Sequence, residues 1–217
     1  MKIKAVIFDM DGVVVNNHEY HFKAWMDFAE KYGFELNEEI YKDQFNGKTN
    51  KDLFRIIFDD PTDEEIAAYG EEKESMYREA YYDDLAPHTG LLDFLSALKR
   101  GRYKIALATS APTENVDWVL DNLQLRPYFD VIVDGTEVDN GKPDPEIYLT
   151  VCTKLEVDPQ YCVVFEDSLA GLESAKEAGC CQVGIATSHE PWELEGHTEH
   201  IIHDFTEVKG LWMRLEK

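Results

Sequence analysis

Carboxylates, hydroxyls and a lysine stand together at four points along this chain: Asp9-x-Asp11-Gly12, Thr109-Ser110, Gly141-Lys142-Pro143 and Glu166-Asp167-Ser168. Each group alone is commonplace. An aspartate in such a place is ordinarily a turn former, a Thr or a Glu-Asp pair a helix cap, and a lysine before proline solvated surface. Together they imply more, because carboxylates gathered on one rim cannot all stay ionised without a cation. Hard divalent ions take oxygen ligands, and Mg²⁺ commonly binds through one or two carboxylates plus a substrate phosphate. The chemistry such a set could perform is phosphoryl transfer. That reaction needs an in-line nucleophile, charge neutralisation on the equatorial oxygens and a proton for the leaving group. An aspartate beside Mg²⁺ can be the nucleophile. A second carboxyl two residues on can protonate the leaving oxygen and then activate water. Thr109 and Lys142 would supply donors to the transferring group.

This reading requires elements that bring the four groups to one rim. Ile3 to Phe8 is a β-branched and aromatic run, a buried strand that stops in the turn at Asp9–Gly12. From about Asn16 to Tyr82 apolar residues recur at helical spacing (Phe22, Trp25, Met26, Ala29; Ile66, Tyr69, Met76, Tyr77). Breaks at Gly33, Asn46-Gly47 and Asp59-Asp60-Pro61 cut that stretch into roughly four helices. Thr62 followed by Glu65 predicts a capping box. After the linker Leu85–Gly90, helices and strands alternate. Helices are expected over Leu91–Lys99, Asn115–Leu123, Pro145–Leu155 and Ala170–Ala178. Strands are expected over Lys104–Ala108, Val131–Val133, Cys162–Phe165, Gln182–Ile185 and near Ile201-Ile202. Gly101 and Gly179 stand where helix C-caps are expected. The alternation predicts an α/β fold: a doubly wound, Rossmann-like parallel-sheet core (residues 1–15 and 85–217) with a small all-helical domain (16–84) inserted after the first strand. Ligands of such sheets bind outside the carboxyl ends of the strands, where all four groups fall.

Bulk properties narrow the partners. The 217 residues suit a core with a smaller insert, and 44% hydrophobic residues allow a sizeable core without disulfides. Acidic residues outnumber basic ones by 44 to 21, a formal charge of -23. Such a surface repels phosphate backbones and anionic lipid, so no nucleic-acid or membrane partner is expected. An anionic substrate entering that field needs local cations at its site. The cysteines Cys152, Cys162, Cys180 and Cys181 form neither a CxxC pair nor a zinc-spaced cluster, which fits reduced thiols and a cytoplasmic protein. No apolar stretch is long enough to span a membrane, and the apolar run at the start is too short for a signal peptide. Nothing marks an oligomer interface, so a monomer is the expectation.

The four groups, in this order, resemble the motifs of the haloacid dehalogenase superfamily: FDMDGV at 8–13, ATS at 108–110, GKPDP at 141–145 and FEDSLAG at 165–171. The resemblance implies an aspartyl-phosphate enzyme with Asp9 as nucleophile and Asp11 as general acid and base. It also implies that Thr109 and Lys142 hold the transferring phosphate, with Gly12 and Ser110 at the substrate. By the same likeness Mg²⁺ is held by Asp9, the backbone carbonyl of Asp11 and Asp167, with Glu166 as a further or outer ligand. The helical insert corresponds to that superfamily's cap, which closes over the site and selects a small phosphorylated metabolite.

Within the superfamily the chain resembles the β-phosphoglucomutase-like phosphatases. Glu19–Trp25 is similar to the start of their cap, with His21 as the histidine that orients the sugar; Gly47-Lys48-Thr49 is similar to a second cap loop, and Lys73 to a substrate-contacting lysine. Two departures stand out. Asn50 occupies a position where the mutase has an arginine for a second phosphate, and Ala111-Pro112-Thr113 follows Thr109-Ser110 where serine, lysine and asparagine are expected. Proline carries no donor, and charge-assisted hydrogen bonds are worth roughly 1.5–3 kcal/mol each. The departures favour a phosphatase of a sugar phosphate over a mutase interconverting β-glucose 1-phosphate and glucose 6-phosphate. A signalling receiver also gathers acids, Thr and Lys around a phospho-aspartate, but places that aspartate on a later strand and has no helical insert after the first.

Overall fold

The computed structural model describes residues 2–45 and 48–215. In chain order the elements are β1 (Ala5–Phe8), α1 (His18–Tyr32), α2 (Glu38–Ile40), α3 (Asn50–Ile57), α4 (Asp63–Tyr81), α5 (Leu91–Gly101), β2 (Lys104–Ala108), α6 (Thr113–Asn122) and β3 (Val131–Val133), followed by α7 (Glu146–Leu155), β4 (Cys162–Glu166), α8 (Leu169–Glu177), β5 (Cys181–Ile185), α9 (Pro191–Leu194), β6 (Ile201–Ile202) and α10 (Val208–Leu215). The chain divides into two compact units: Met1–Asn16 with Ala86–Lys217, and Asn17–Leu85.

The first unit is built on a six-stranded, all-parallel sheet in the order β3-β2-β1-β4-β5-β6. The sequence places each strand within two residues of where it forms; β1 begins at Ala5 rather than Ile3, and β4 runs on to include Glu166. Parallel strands need apolar residues on both faces, and β1 shows how the alternation supplies them. Ala5 and Ile7 belong to a core cluster with Tyr148 and Val151 of α7 and Ala175 of α8. Phe8 points to the opposite face, stacked on Phe165 and against the rings of Phe94 from α5 and Phe205. The strand order reverses between β1 and β4, the position at which sheets of this kind bind ligands.

One expected cap differs. Gly101 lies inside the last turn of α5, and the left-handed cap is Arg102 (φ 62°). A Cβ on Gly101 would stand 2.6 Å from the ring of Tyr103, so side-chain packing, not the cap, requires glycine there. Gly179 follows α8 at φ +85°, as expected. Helix α6 starts at Thr113, earlier than Asn115, with Pro112 at its N-cap; proline's fixed φ suits a helix start.

The helical unit packs α1, α3 and α4 around Trp25, Phe28, Leu53, Phe54 and Ile66. Helix α1 stops at Gly33 in the left-handed conformation. The predicted capping box forms: Glu65 N donates to Thr62 Oγ1 and Thr62 N donates to Glu65 Oε2. Asn46 and Gly47, the remaining predicted break, lie outside the described residues. All four cysteines are free thiols, although Cys181 is only half-buried. No helix among the described residues is long and apolar enough to cross a membrane.

Candidate active site

Parallel register delivers the acids to one rim. Phe8 of β1 pairs with Phe165 of β4, and the ladder extends by one more bond, from Asp9 N to Phe165 O at 3.0 Å. That register brings Asp9, just past β1, alongside Glu166, the last residue of β4. Thr109, just past β2, donates its amide to Val133 O at 3.1 Å and is buried, with its hydroxyl accepting from Ala111 N. Lys142 reaches this rim from the loop before α7. Its Nζ donates to Asp9 Oδ1 at 2.6 Å, to Glu166 Oε1 at 2.5 Å and to Ala108 O at 3.4 Å.

Charge on the rim is unbalanced. Asp9, Glu166 and Asp167 are all buried and each offers an oxygen within 4.8 Å of the others, yet among the described residues the one ammonium in contact with them is that of Lys142. Burial pushes the Asp9 carboxyl well above its ordinary range, against the pull of Lys142 and with Glu166 and Asp167 adding to the rise. Asp167 is pushed up to about 8 by burial and then by Glu166. Burial works on Glu166 in the same sense, but the Lys142 charge and the hydrogen bonds it accepts hold its carboxyl below the usual value. Burial lowers Lys142, and Asp9 and Glu166 more than reverse that. Three oxygen donors with one cation between them form a set that a hard divalent ion fits.

Two glycines make the approach possible. A Cβ on Gly12, which sits at φ +76°, would lie 2.2 Å from Asp167 Oδ2, and one on Gly171 would lie 1.8 Å from Glu166 Oε1. The cap of α8 is neither Glu166 nor Asp167 but Ser168, whose hydroxyl accepts from Gly171 N at 3.0 Å. Glu166 is thereby turned toward Lys142.

The comparisons with known proteins agree with this geometry. Residues 6–185 match the family model described as haloacid dehalogenase-like hydrolase. The chain belongs to that family. A phosphorylated carbohydrates phosphatase from Thermotoga maritima is 39% identical over 182 residues, covering 82% of both chains. A β-phosphoglucomutase from Bacillus subtilis is 34% identical over 193 residues, covering 84% of this chain and 83% of the relative. The crystal structure of a β-phosphoglucomutase from Clostridium difficile superposes with a TM-score of 0.85 at 27% identity, covering 99% of this chain and 96% of that one. As a haloacid dehalogenase-like hydrolase, this protein is an enzyme.

Of the site residues expected for this hydrolase, Asp9, Lys142, Glu166 and Asp167 meet directly; Asp11 and Ser110 are half-buried at the ends of β1 and β2. The helical unit gathers a separate network. His21 stacks on Tyr77 with ring centroids 3.7 Å apart, and its Nδ1 lies 3.1 Å from Lys73 Nζ. Lys73 is buried and donates to Glu74 Oε1 at 2.8 Å, and Asn50 Nδ2 donates to that same oxygen at 2.7 Å. Burial raises Glu74, but the charges of Lys73 and His21 and the bonds from Lys73 and Asn50 pull it down to about 2. Lys48 is exposed, and Gly47 lies outside the described residues.

Other members of the hydrolase's rim escape sequence reasoning. Tyr148 of α7 donates its hydroxyl to Glu166 Oε1 at 2.9 Å and lays its ring 5.2 Å from Lys142 Nζ. Ser188 donates to the backbone carbonyl of Asp167 at 2.9 Å, with His189 Nδ1 2.9 Å from that hydroxyl. Tyr148 reads in sequence as a core residue of an amphipathic helix. The usable signal at Ser188-His189 was position: they follow β5 on the same side of the sheet as the other strand ends.

Proposed function

We propose that this enzyme is a Mg²⁺-dependent phosphatase of a small phosphorylated sugar or similar metabolite, working through an aspartyl phosphate on Asp9. The observation that carries the reading is the buried Asp9 carboxylate held 2.6 Å from Lys142 inside an acidic cluster. Mg²⁺ held by Asp9, Asp167 and the carbonyl of Asp11 would supply positive charge to the oxygens of the transferring group. Glu166 would stand behind that set, because its two oxygens already accept from Lys142, Tyr148, Asp167 N and Ser168. The Asp9 carboxylate attacks phosphorus, the bond to the sugar oxygen breaks, and Asp11 donates its proton to that oxygen. Asp11, now a carboxylate, takes a proton from water, whose oxygen attacks the same phosphorus. Breaking the Asp9–phosphorus bond releases phosphate and regenerates Asp9. Lys142 and Thr109 would compensate charge on the transferring oxygens.

Hydrolysis is favoured over mutation by Asn50, whose amide is spent on the ionised Glu74. An arginine at that position would offer a cation; an amide bonded to an anion does not. The relatives that act on phosphorylated carbohydrates support the sugar-phosphate class. The alternative, a β-phosphoglucomutase, is supported by the His21–Lys73 contact in the helical unit. The test is incubation with Mg²⁺ and β-glucose 1-phosphate, with and without glucose 1,6-bisphosphate, following phosphate and glucose 6-phosphate in parallel. Phosphate release with little glucose 6-phosphate supports the phosphatase; glucose 6-phosphate formed faster, and stimulated by the bisphosphate, establishes the mutase. Asp9→Asn should abolish turnover with an unchanged circular dichroism spectrum, and retained activity would remove Asp9 as nucleophile.

A further inference from the structure

The turn that carries Asp11 is closed on itself by a backbone bridge between Asp11 and Val15, and is also held from outside. Val13, Val14 and Val15 all direct their amides at one acceptor, Met10 O, at 3.3, 2.8 and 3.1 Å. A carbonyl has two lone pairs, so the three amides share its accepting capacity. The carbonyls of Gly12, Val13 and Val14 each face a donor from elsewhere in the chain. Gly12 O accepts from Thr187 Oγ1 at 2.8 Å, past the end of β5. Val13 O lies 3.2 Å from His88 Nδ1, and Val14 O accepts from His88 N at 2.8 Å.

His88 is well anchored for this. It is buried, its ring meets Phe205 edge-on at 5.8 Å, its own carbonyl accepts from Leu91 N at 3.0 Å, and the next carbonyl, Thr89 O, accepts from Phe205 N at 3.0 Å. Burial lowers its pKa, opposed by the Val13 carbonyl and Asp204. A neutral imidazole facing a carbonyl through Nδ1 must carry its proton there.

We propose that His88 and Thr187 are positioning residues for the proton transfer: from two sides they clamp the carbonyls of the Gly12–Val14 turn and so hold the Asp11 carboxyl in register with Asp9. The inference rests on the reading of Asp11 as general acid and base. A loosened turn should penalise leaving groups that need a proton and spare those that do not.

The full-length enzyme with Mg²⁺ is compared as wild type, His88→Phe, His88→Asn, Thr187→Val and Thr187→Ser. Phenylalanine keeps the ring but removes the donor, whereas asparagine restores an N–H at the same branch point; serine restores the hydroxyl that valine removes. Rapid quench reads only the phosphorylation half-reaction, with p-nitrophenyl phosphate (a leaving group stable as an anion) and glucose 6-phosphate (an alkoxide). General acid catalysis contributes about 10²–10⁴-fold. The expected result for His88→Phe and Thr187→Val is a loss of about tenfold or more with glucose 6-phosphate and under about threefold with p-nitrophenyl phosphate, with rescue by asparagine and serine. Amide hydrogen exchange, which needs no substrate, should speed up in the peptide spanning Asp11–Val15 of His88→Phe and not in β4. Equal losses on both substrates, no rescue, or unchanged exchange at Asp11–Val15 overturns the proposal. Asp11→Asn separates the two levels. If it too loses equally on both substrates, the acid assignment itself fails; if it discriminates while the clamp variants do not, only the clamp fails.

Discussion

Among the described residues two lysine side chains are buried to the same 2% exposure, Lys142 in the sheet unit and Lys73 in the helical unit, and their surroundings differ in charge balance. Lys142 touches two carboxylates and a third stands within the same cluster, so negative charge is in excess, and burial together with the neighbouring acids drives both Asp9 and Asp167 up. Lys73 meets one carboxylate, an imidazole and, through Glu74, an amide, and the single acid is driven down. A buried pair that balances can be retained as a piece of structure, whereas a buried surplus of anions persists only where something cationic is bound. Side-chain burial alone would rank the two lysines together; the count of acids around each separates the proposed reactive centre from a brace.

The largest effect expected from that difference is a split between turnover and stability. Lys142→Met should lower kcat by about 10²–10³-fold, the usual effect of removing one donor to developing negative charge. Its urea midpoint should change little, because removing the cation lets one acid of the surplus stay protonated. Lys73→Met removes the ammonium that the buried Glu74 carboxylate faces and should cost about 3–5 kcal/mol of stability. If Lys73→Met is as stable as wild type, or Lys142→Met keeps its turnover, the contrast is wrong.

A smaller effect sharpens the same point through pH. Glu74 is held at about 2 in the fold against 4.5 for an ordinary glutamate. A depressed folded value means that its contribution, about 3 kcal/mol, is complete above pH 4.5 and is lost as pH falls from there toward 2. Urea titrations followed by far-ultraviolet circular dichroism at pH 6, 4 and 3 should show the helical signal weakening in that window, and Glu74→Gln should flatten that part of the slope. An unchanged slope would mean that Glu74 is not ionised against Lys73.

The contrast was only half legible in sequence. Strands could be placed because β-branched runs such as Ala5–Phe8 and Cys162–Glu166 are short, apolar and bounded by turns, and the parallel sheet then forces their carboxyl ends together. That is why Asp9, Lys142, Glu166 and Asp167 could be gathered from positions as far apart as 9 and 167. Tyr148, Ser188 and Thr187 were not foreseen, because each acts through a contact fixed by tertiary packing, and its residue type fits a core or a loop equally well. Gly101 failed for a similar reason, its glycine being demanded by the Tyr103 ring. Glu74 gave no signal: in the run Glu71-Glu72-Lys73-Glu74 nothing distinguishes the buried acid from the solvated ones.

Glycine substitutions give the smallest expected effect and a change of sign. At Gly171 a methyl group would collide with the Glu166 carboxylate at 1.8 Å, in the unit where the acids are crowded. Gly70 sits inside α4, beneath the Lys73 network, and a Cβ there would meet Phe54 at 3.8 Å and Asn50 Nδ2 at 4.0 Å, both ordinary contacts. Alanine in a helix interior is favoured over glycine by roughly 0.5–1 kcal/mol, mainly because the unfolded chain loses freedom. Gly70→Ala should therefore raise the melting temperature by about 1–4 °C and leave turnover and the Asn50–Glu74 bond intact. A lowered melting temperature would show that the space above Gly70 is already taken up, and that the balanced network of the helical unit is packed as tightly as the acidic rim.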